Sequence, residues 1–286
     1  MMTKRILLTG AAGFTGLRFT EAAQQAGYII HPLLADLTDA KALATEIATA
    51  APDFVVHLAG ISAVTHEDEE AIYRVNLFGT LNLLKALVAL PQAPQRVLLV
   101  SSANVYGNTE KSPIDESTCP APVNHYAISK LAMEHMSSTY ADRLPMVIVR
   151  PFNYTGVGHD VRFVIPKLVE HFVQRAESIE LGNLEVEREF NDVRSVCEIY
   201  LRLLQLGKPG QAYNVCSGRP VSLSTVIDKL EHITGHKMQI KINPAFVRAN
   251  EVHRLCGNPA KLEACIGKID HPALEETLSM MLSARQ

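Results

Sequence analysis

Three glycines spaced three apart, Gly10, Gly13 and Gly16, follow a short apolar run of strand character at Ile6, Leu7 and Leu8 and precede a helical pattern over 17–26. A strand that enters a glycine-rich turn and leaves as a helix restricts a chain to few folds. Glycine lets the backbone turn tightly and approach a pyrophosphate, whose charge is met by free N–H groups and the positive end of the helix. The spacing is G-x-x-G-x-x-G, with Phe14 and Thr15 between the last two glycines, rather than the more common G-x-G-x-x-G. Taken alone, the triplet is also compatible with a tight turn and close helix packing.

Alternation along the first half narrows the choice. Strands are predicted at 28–33, 54–58, 96–101 and 146–149. Helices are predicted at 71–89 and from Asn124, an N-cap after the loop at Pro120 and Pro122. This order implies an α/β, Rossmann-type, doubly wound parallel sheet with helices on both faces. Ligands in such sheets sit beyond the C-terminal strand ends, where Gly10, His57, Ser101, Ser102 and Asn153 fall. After residue 152 the pattern loosens, with helices at 164–175 and 194–206 and a polar, hairpin-like segment at 179–190 between them. The expected division is a dinucleotide-binding domain over 1–152, rejoined by about 190–217, and a smaller mixed substrate-binding lobe over 153–286.

Bulk properties fit an ordinary soluble enzyme. The chain has 286 residues, 47% of them hydrophobic, with a net charge of −3, which advertises no affinity for nucleic acid or an anionic membrane surface. No apolar run approaches the roughly 18 residues of a membrane span, and no signal-peptide pattern opens the sequence. Five scattered cysteines lack metal-type spacing and read as reduced thiols in a cytoplasmic protein. His57, His66 and the run Glu67-Asp68-Glu69-Glu70 read as a solvated helix start rather than a metal site.

Tyr126 and Lys130 supply the chemistry. Four residues apart on a helix, they share a face. A free phenol titrates near pH ~10, so bringing it to neutrality takes roughly 4 kcal/mol. A cation about 5 Å away at an effective dielectric of about 20 supplies roughly 3 kcal/mol of that. A solvated helix face is the competing reading of the spacing alone.

Together, the glycine triplet, Asn76 within Asn76-Leu77-Phe78-Gly79-Thr80, Ser102 ahead of Val105-Tyr106-Gly107, and the Tyr126/Lys130 pair resemble the extended short-chain dehydrogenase/reductase family. Arg150-Pro151-Phe152-Asn153, Arg188-Glu189-Phe190-Asn191-Asp192-Val193, Tyr213 through Gly218, and Arg248 through Val252 followed by Gly257-Asn258 and Lys261 are similar to its nucleotide-sugar branch. The resemblance spans nearly the whole chain. It implies a catalytic set of Ser102, Tyr126 and Lys130. It also implies that Gly10, Gly13, Phe14, Thr15, Gly16, Asp36, Leu37, Leu58, Ala59, Gly60 and Asn76 bind the dinucleotide together with Tyr126 and Lys130. Ser102, Asn153, Arg188, Arg248 and Glu251 are the implied substrate contacts, with the arginines suited to bidentate hold of a pyrophosphate.

The implied reaction is NAD(P)H-dependent reduction of the C4 ketone of a nucleotide-linked 4-keto-6-deoxy-hexose, GDP-linked by likeness and giving a rhamnose-type product. Sugar 4,6-dehydratases carry an acidic residue directly after their Ser/Thr, because expelling the 6-hydroxyl needs a further acid/base group. Here Ala103 and Asn104 follow Ser102, which disfavours dehydration. A 4-epimerase with tightly bound NAD uses the same Ser/Tyr/Lys set and stays open, and a non-catalytic dinucleotide-binding protein is a further alternative. The expected end of the second strand, His31-Pro32-Leu33-Leu34, offers neither a carboxylate nor an arginine. NADPH is therefore tolerated there, with His31 available to a 2′-phosphate, while NADH and dual use stay open. The resemblance also implies a homodimer, packed through helix 71–89 and the helix carrying Tyr126.

Overall fold

In the computed structural model, which describes residues 3–62, 68–246 and 252–285, β1 (Arg5–Thr9) leads through the glycine turn into α1 (Phe14–Gln25). β2 (Ile29–Pro32), α2 (Ala40–Ala50) and β3 (Phe54–His57) follow. The next helix is α3 (Glu69–Tyr73), a π-helical turn over Arg74–Gly79, and α4 (Thr80–Val88), in unbroken succession. β4 (Arg96–Val100), a 3-10 turn at Ala103–Tyr106, α5 (His125–Ser138) and β5 (Met146–Pro151) complete the first half. Asn124 caps α5, its side chain accepting from the Ala127 N–H at 2.9 Å, the arrangement that asparagine favours at a helix start.

Beyond β5 come β6 (Tyr154–Thr155), α6 (Val164–Val173), β7 (Ser178–Leu181), β8 (Glu187–Glu189), β9 (Asn191–Asp192), α7 (Val193–Leu206) and β10 (Ala212–Val215). The chain ends with β11 (Pro220–Ser222), α8 (Leu223–Thr234), β12 (Gln239–Ile242), β13 (Arg254–Leu255), α9 (Ala260–Ile266) and α10 (Leu274–Ser283).

The main sheet has six parallel strands in the order β10-β5-β4-β3-β1-β2. Successive side chains of a strand point to opposite faces, and both faces of this sheet are apolar and covered. Ile6 and Leu8 pack with Phe19 of α1 and with Val196, Tyr200 and Leu203 of α7. Leu7 packs with Leu43 and Ile47 of α2, Leu83 and Leu87 of α4, and Met133 of α5. Burial on both faces explains why these strands read as unbroken Val/Ile/Leu runs. The chain passes from β1 to β2 on one side and returns to β3 on the other, so strand order reverses between β1 and β3. The crevice beyond such a reversal is where doubly wound sheets hold ligands.

Late segments return to this sheet. β10 pairs with β5, and Leu262 and Ile266 of α9 join the same buried cluster as α7. A separate cluster, built from Leu168 and Phe172 of α6, Ile179 and Leu181 of β7, Leu230 of α8 and Leu278 of α10, forms a second lobe.

The hairpin expected at 179–190 does not form. β7 pairs in parallel with β12, while β8 pairs antiparallel to β11 and parallel to β13. Ile179 and Leu181 face the apolar lobe core, whereas the Glu189 carboxylate is drawn to the backbone N–H groups of Ser217 and Gly257, each at 2.6 Å. Partners far along the chain separate two strands that sequence proximity suggested would pair. Among the described residues, no helix is long and apolar enough to cross a membrane.

Candidate active site

The glycine turn is shaped by contact. Gly10 has φ +70°, and a Cβ there would lie 2.8 Å from the Ala59 nitrogen, at the end of β3. A Cβ on Gly16 would lie 2.1 Å from the Gly10 carbonyl oxygen. Both positions therefore require glycine. Gly13 is the N-cap of α1 and supplies no side-chain acceptor, so the first N–H groups of that helix face outward with the positive end of the helix dipole. This cradle fits a dinucleotide pyrophosphate. Thr15 is hydrogen-bonded to the Tyr154 hydroxyl at 2.9 Å, and Phe14 stacks on His159 with ring centroids 4.4 Å apart.

Tyr126 and Lys130 lie one turn apart on α5, 8% and 6% exposed. The Lys130 ammonium donates to the Val100 carbonyl, the last of β4, at 2.8 Å. Ser102, two residues further on, caps the 3-10 turn by accepting from the Asn104 N–H at 3.1 Å. The ammonium thus lies at the C-terminal end of β4, and the phenol meets the Ser102 hydroxyl just beyond it. Burial raises the Tyr126 phenol above its usual value, and hydrogen bonding with Ser102 opposes that rise. Burial lowers Lys130 to about 8, with the Glu134 charge pulling the other way. The resting site therefore holds a protonated phenol beside a largely charged ammonium at neutral pH, a state suited to giving a proton.

Ser101 and Ser102 part company here. The Ser101 hydroxyl donates to Glu134 at 2.5 Å, which leaves Ser102 as the hydroxyl beside the phenol.

A second set of hydrogen bonds ties the strand ends together. Asn76, in the π-helical turn, accepts from the Ile61 N–H at 2.8 Å and donates to the Ser129 hydroxyl at 3.0 Å. Ser129 in turn donates to the Tyr126 carbonyl at 2.7 Å. His57 bridges Thr9 and Thr80 at 2.7 and 2.8 Å. Because Thr80 donates its own proton to the Asn76 carbonyl, it accepts from Nε2–H of His57, and Nδ1 accepts from Thr9. Burial, and secondly the Lys130 charge, hold His57 neutral with a pKa near 3. Gly60 packs against the same groups: a Cβ there would lie 2.9 Å from the Asn76 side-chain oxygen and 3.2 Å from the Lys130 ammonium.

Other predicted contacts are placed as follows. Asp36 is exposed, and its carboxylate accepts from the Thr38 N–H and hydroxyl, both at 2.7 Å. Leu37 is buried, with Gly79 of the π turn pressed against it. Leu58 packs partly against the sheet core, and the Ala59 N–H donates to Thr9 at 3.0 Å. Asn153 is exposed just past β5. The Arg188 guanidinium donates to the backbone carbonyls of Glu187, Val252 and His253, so it fastens β8 to the segment leading into β13. Arg248, Glu251 and His66 lie outside the described residues.

Three contributors escaped the sequence reading. A carboxylate does stand at the end of β2: Glu46 of α2 accepts from the Leu34 and Ala35 N–H groups at 2.9 and 2.7 Å and lies 3.6 Å from His31 Nε2. It comes from a neighbouring helix, so no local pattern announced it. Tyr154 meets the glycine turn only through tertiary packing. Glu134 could have been found from its spacing, four residues after Lys130 on the same helix, but its buried bond to Arg150 leaves no signal in the sequence.

The profile of the NAD dependent epimerase/dehydratase family matches residues 6–216. The chain is 36% identical to a GDP-6-deoxy-D-talose 4-dehydrogenase of Aggregatibacter actinomycetemcomitans, over 92% of this chain and 91% of that protein. It is 34% identical to a GDP-6-deoxy-D-mannose reductase of Pseudomonas aeruginosa, over 99% and 97%. Among solved structures, that of RMD from Pseudomonas aeruginosa complexed with NADPH superimposes with a TM-score of 0.90 at 32% identity, covering 99% of this chain and 97% of the other.

Proposed function

Because this chain belongs to the NAD dependent epimerase/dehydratase family, the extended short-chain dehydrogenases/reductases, we propose that it is an oxidoreductase acting at C4 of a GDP-linked 6-deoxyhexose. The finer reading is NADPH- or NADH-dependent reduction of GDP-4-keto-6-deoxy-D-mannose to GDP-D-rhamnose. One observation supports it: a buried, protonated Tyr126 is hydrogen-bonded with Ser102 and lies one helical turn from Lys130, while Ala103 and Asn104 follow Ser102 and supply no further acid.

A reduced nicotinamide, when bound, would supply the hydride for C4. The glycine turn and the open N-terminus of α1 would hold its pyrophosphate, and Lys130, flanked by Asn76 and Gly60, would bond its ribose. Ser102 donates to the ketone oxygen and orients it. Tyr126 gives its proton to the alkoxide as charge develops there, and the adjacent Lys130 cation stabilises the phenolate left behind. Arg188, Arg248 and Glu251 are proposed to grip the nucleotide, and Asn153 the sugar.

A second reading concerns stereochemistry. One relative is named for GDP-6-deoxy-D-talose, the C4 epimer of GDP-D-rhamnose, and the two sugars as reduction products differ only in which face of the ketone receives hydride. A third reading is a 4-epimerase with bound NAD. Incubation with NADPH and a panel of 4-keto-6-deoxy sugars linked to GDP, dTDP and UDP separates them. The proposal expects stoichiometric loss of reduced-nicotinamide absorbance with the GDP sugar and a large H3–H4 proton coupling in the product. A small coupling would identify the talose product, and product without net cofactor use would establish an epimerase.

The enzyme is also proposed to act as a homodimer. Phe78 on the π turn and Ile128 on the adjacent α5 are 55% and 39% exposed, and they lie on the elements expected to pack against a second copy.

A further inference from the structure

One turn past Lys130, α5 places a second buried charge that the proton transfer does not use. Glu134 is 7% exposed, and its two oxygens accept from Arg150 of β5 at 3.0 and 2.6 Å. Ser101, at the end of β4, adds a third donor. Arg150 also donates to the Tyr106 hydroxyl at 2.9 Å, and Tyr106 donates to Asn214 of β10 at 2.7 Å. The carboxylate is therefore locked between two strands and the helix carrying the proposed catalytic pair.

We propose that Glu134, paired with Arg150, is a positioning residue that keeps Lys130 in its ammonium form. This deepens the role given to Lys130 above and rests on that reading. Residues four apart on a helix are neighbours, with Cβ atoms about 5–6 Å apart, so in a dry interior the carboxylate exerts a strong attraction on the ammonium. The other groups around Lys130 cannot supply it. His57 at the end of β3 is neutral, Tyr126 on the same helix is a protonated phenol, and Asn76 and Gly60 are uncharged. Arg150 is a buried cation held by both oxygens of that same Glu134 carboxylate. Burial already brings Lys130 to about 8, with Glu134 opposing the fall. Without that carboxylate, burial would act on the lysine unopposed and bring the loss of its proton closer to neutrality.

The charge state is measurable without substrate. Lysine 13Cε NMR titration of the free protein, with Lys130 assigned by Lys130→Met, reads its midpoint directly. Glu134→Gln is expected to lower the midpoint by at least about one pH unit and to weaken NADPH binding above neutral pH more than below it. Glu134→Gln/Arg150→Met replaces the ion pair by a neutral pair, a change that buried sites commonly tolerate. Its midpoint is expected below the parent's, as in the single variant, because the carboxylate is absent from both. Should Glu134→Gln fail to fold, the double variant decides alone. A Lys130 midpoint unmoved in the folded variants overturns the proposal, even in an enzyme that reduces the ketone normally. A shifted midpoint supports it, even if the true sugar substrate proves different.

Discussion

Tyr126 works in this account because its surroundings keep the proton on until charge develops on the sugar oxygen. Burial favours the neutral phenol and the Ser102 hydrogen bond opposes it, while the Lys130 cation is proposed to stabilise the phenolate as it forms. Tyr126→Phe is therefore expected to lower turnover by about 1,000-fold while dinucleotide affinity, measured by fluorescence titration, stays within about threefold; near-normal turnover would remove the phenol from the mechanism. Lys130 sets the pH dependence. Its ammonium is the active form and its pKa is lowered to about 8, so kcat/KM for reduction should hold below pH 8 and fall as pH rises through it. A rate that climbs through that window contradicts the assignment. Glu46 bears on the choice of cofactor. A carboxylate at the end of β2 repels a 2′-phosphate and can accept from a 2′-hydroxyl, so Glu46→Gln should raise the NADPH-to-NADH ratio of kcat/KM by roughly fivefold, about 1 kcal/mol of relieved repulsion. An unchanged ratio would place the adenosine ribose elsewhere.

At the scale of elements, the glycine turn and the π-helical turn are the two non-standard pieces of backbone at the site. Gly16→Ala puts a methyl group against the Gly10 carbonyl, where a Cβ would sit at 2.1 Å. Relieving that clash must open the turn, at about 1–3 kcal/mol. NADPH affinity in the variant should fall at least about tenfold, and wild-type affinity by calorimetry would show that the turn does not hold the pyrophosphate. Both the turn and the start of α5 at Asn124 were readable, because each rests on local chemistry: glycine conformations in one case, a side-chain cap in the other. The π turn was not readable. The pattern over 71–89 reads as one regular helix, and the extra residue per turn arises where Asn76 reaches Ile61 and Ser129 and Gly79 meets Leu37. Such turns recur at functional sites. The supposed hairpin at 179–190 misled for a related reason: each of its halves is held by strands more than 25 residues away along the chain.

For the whole molecule, the parallel sheet was legible because burial on both faces leaves unbroken apolar runs, and its reversal between β1 and β3 fixes where ligands gather. The later lobe was not, since β8, β11 and β13 are short and partly polar, and their pairing depends on Glu189 and Arg188 reaching distant backbone. The proposed dimer carries a test at this scale: Ile128→Asp should yield a monomer by sedimentation if α5 packs on a second copy, and an unchanged mass would exclude that face. The central claim, hydride delivery to C4 with Tyr126 giving the proton, is most directly tested by tracing the label. NADPH dideuterated at nicotinamide C4 is incubated with GDP-4-keto-6-deoxy-D-mannose, and the product sugar is read by NMR and mass spectrometry. One deuterium at sugar C4 for each NADP+ formed is predicted; a product carrying no deuterium, or carrying it at another carbon, contradicts the account.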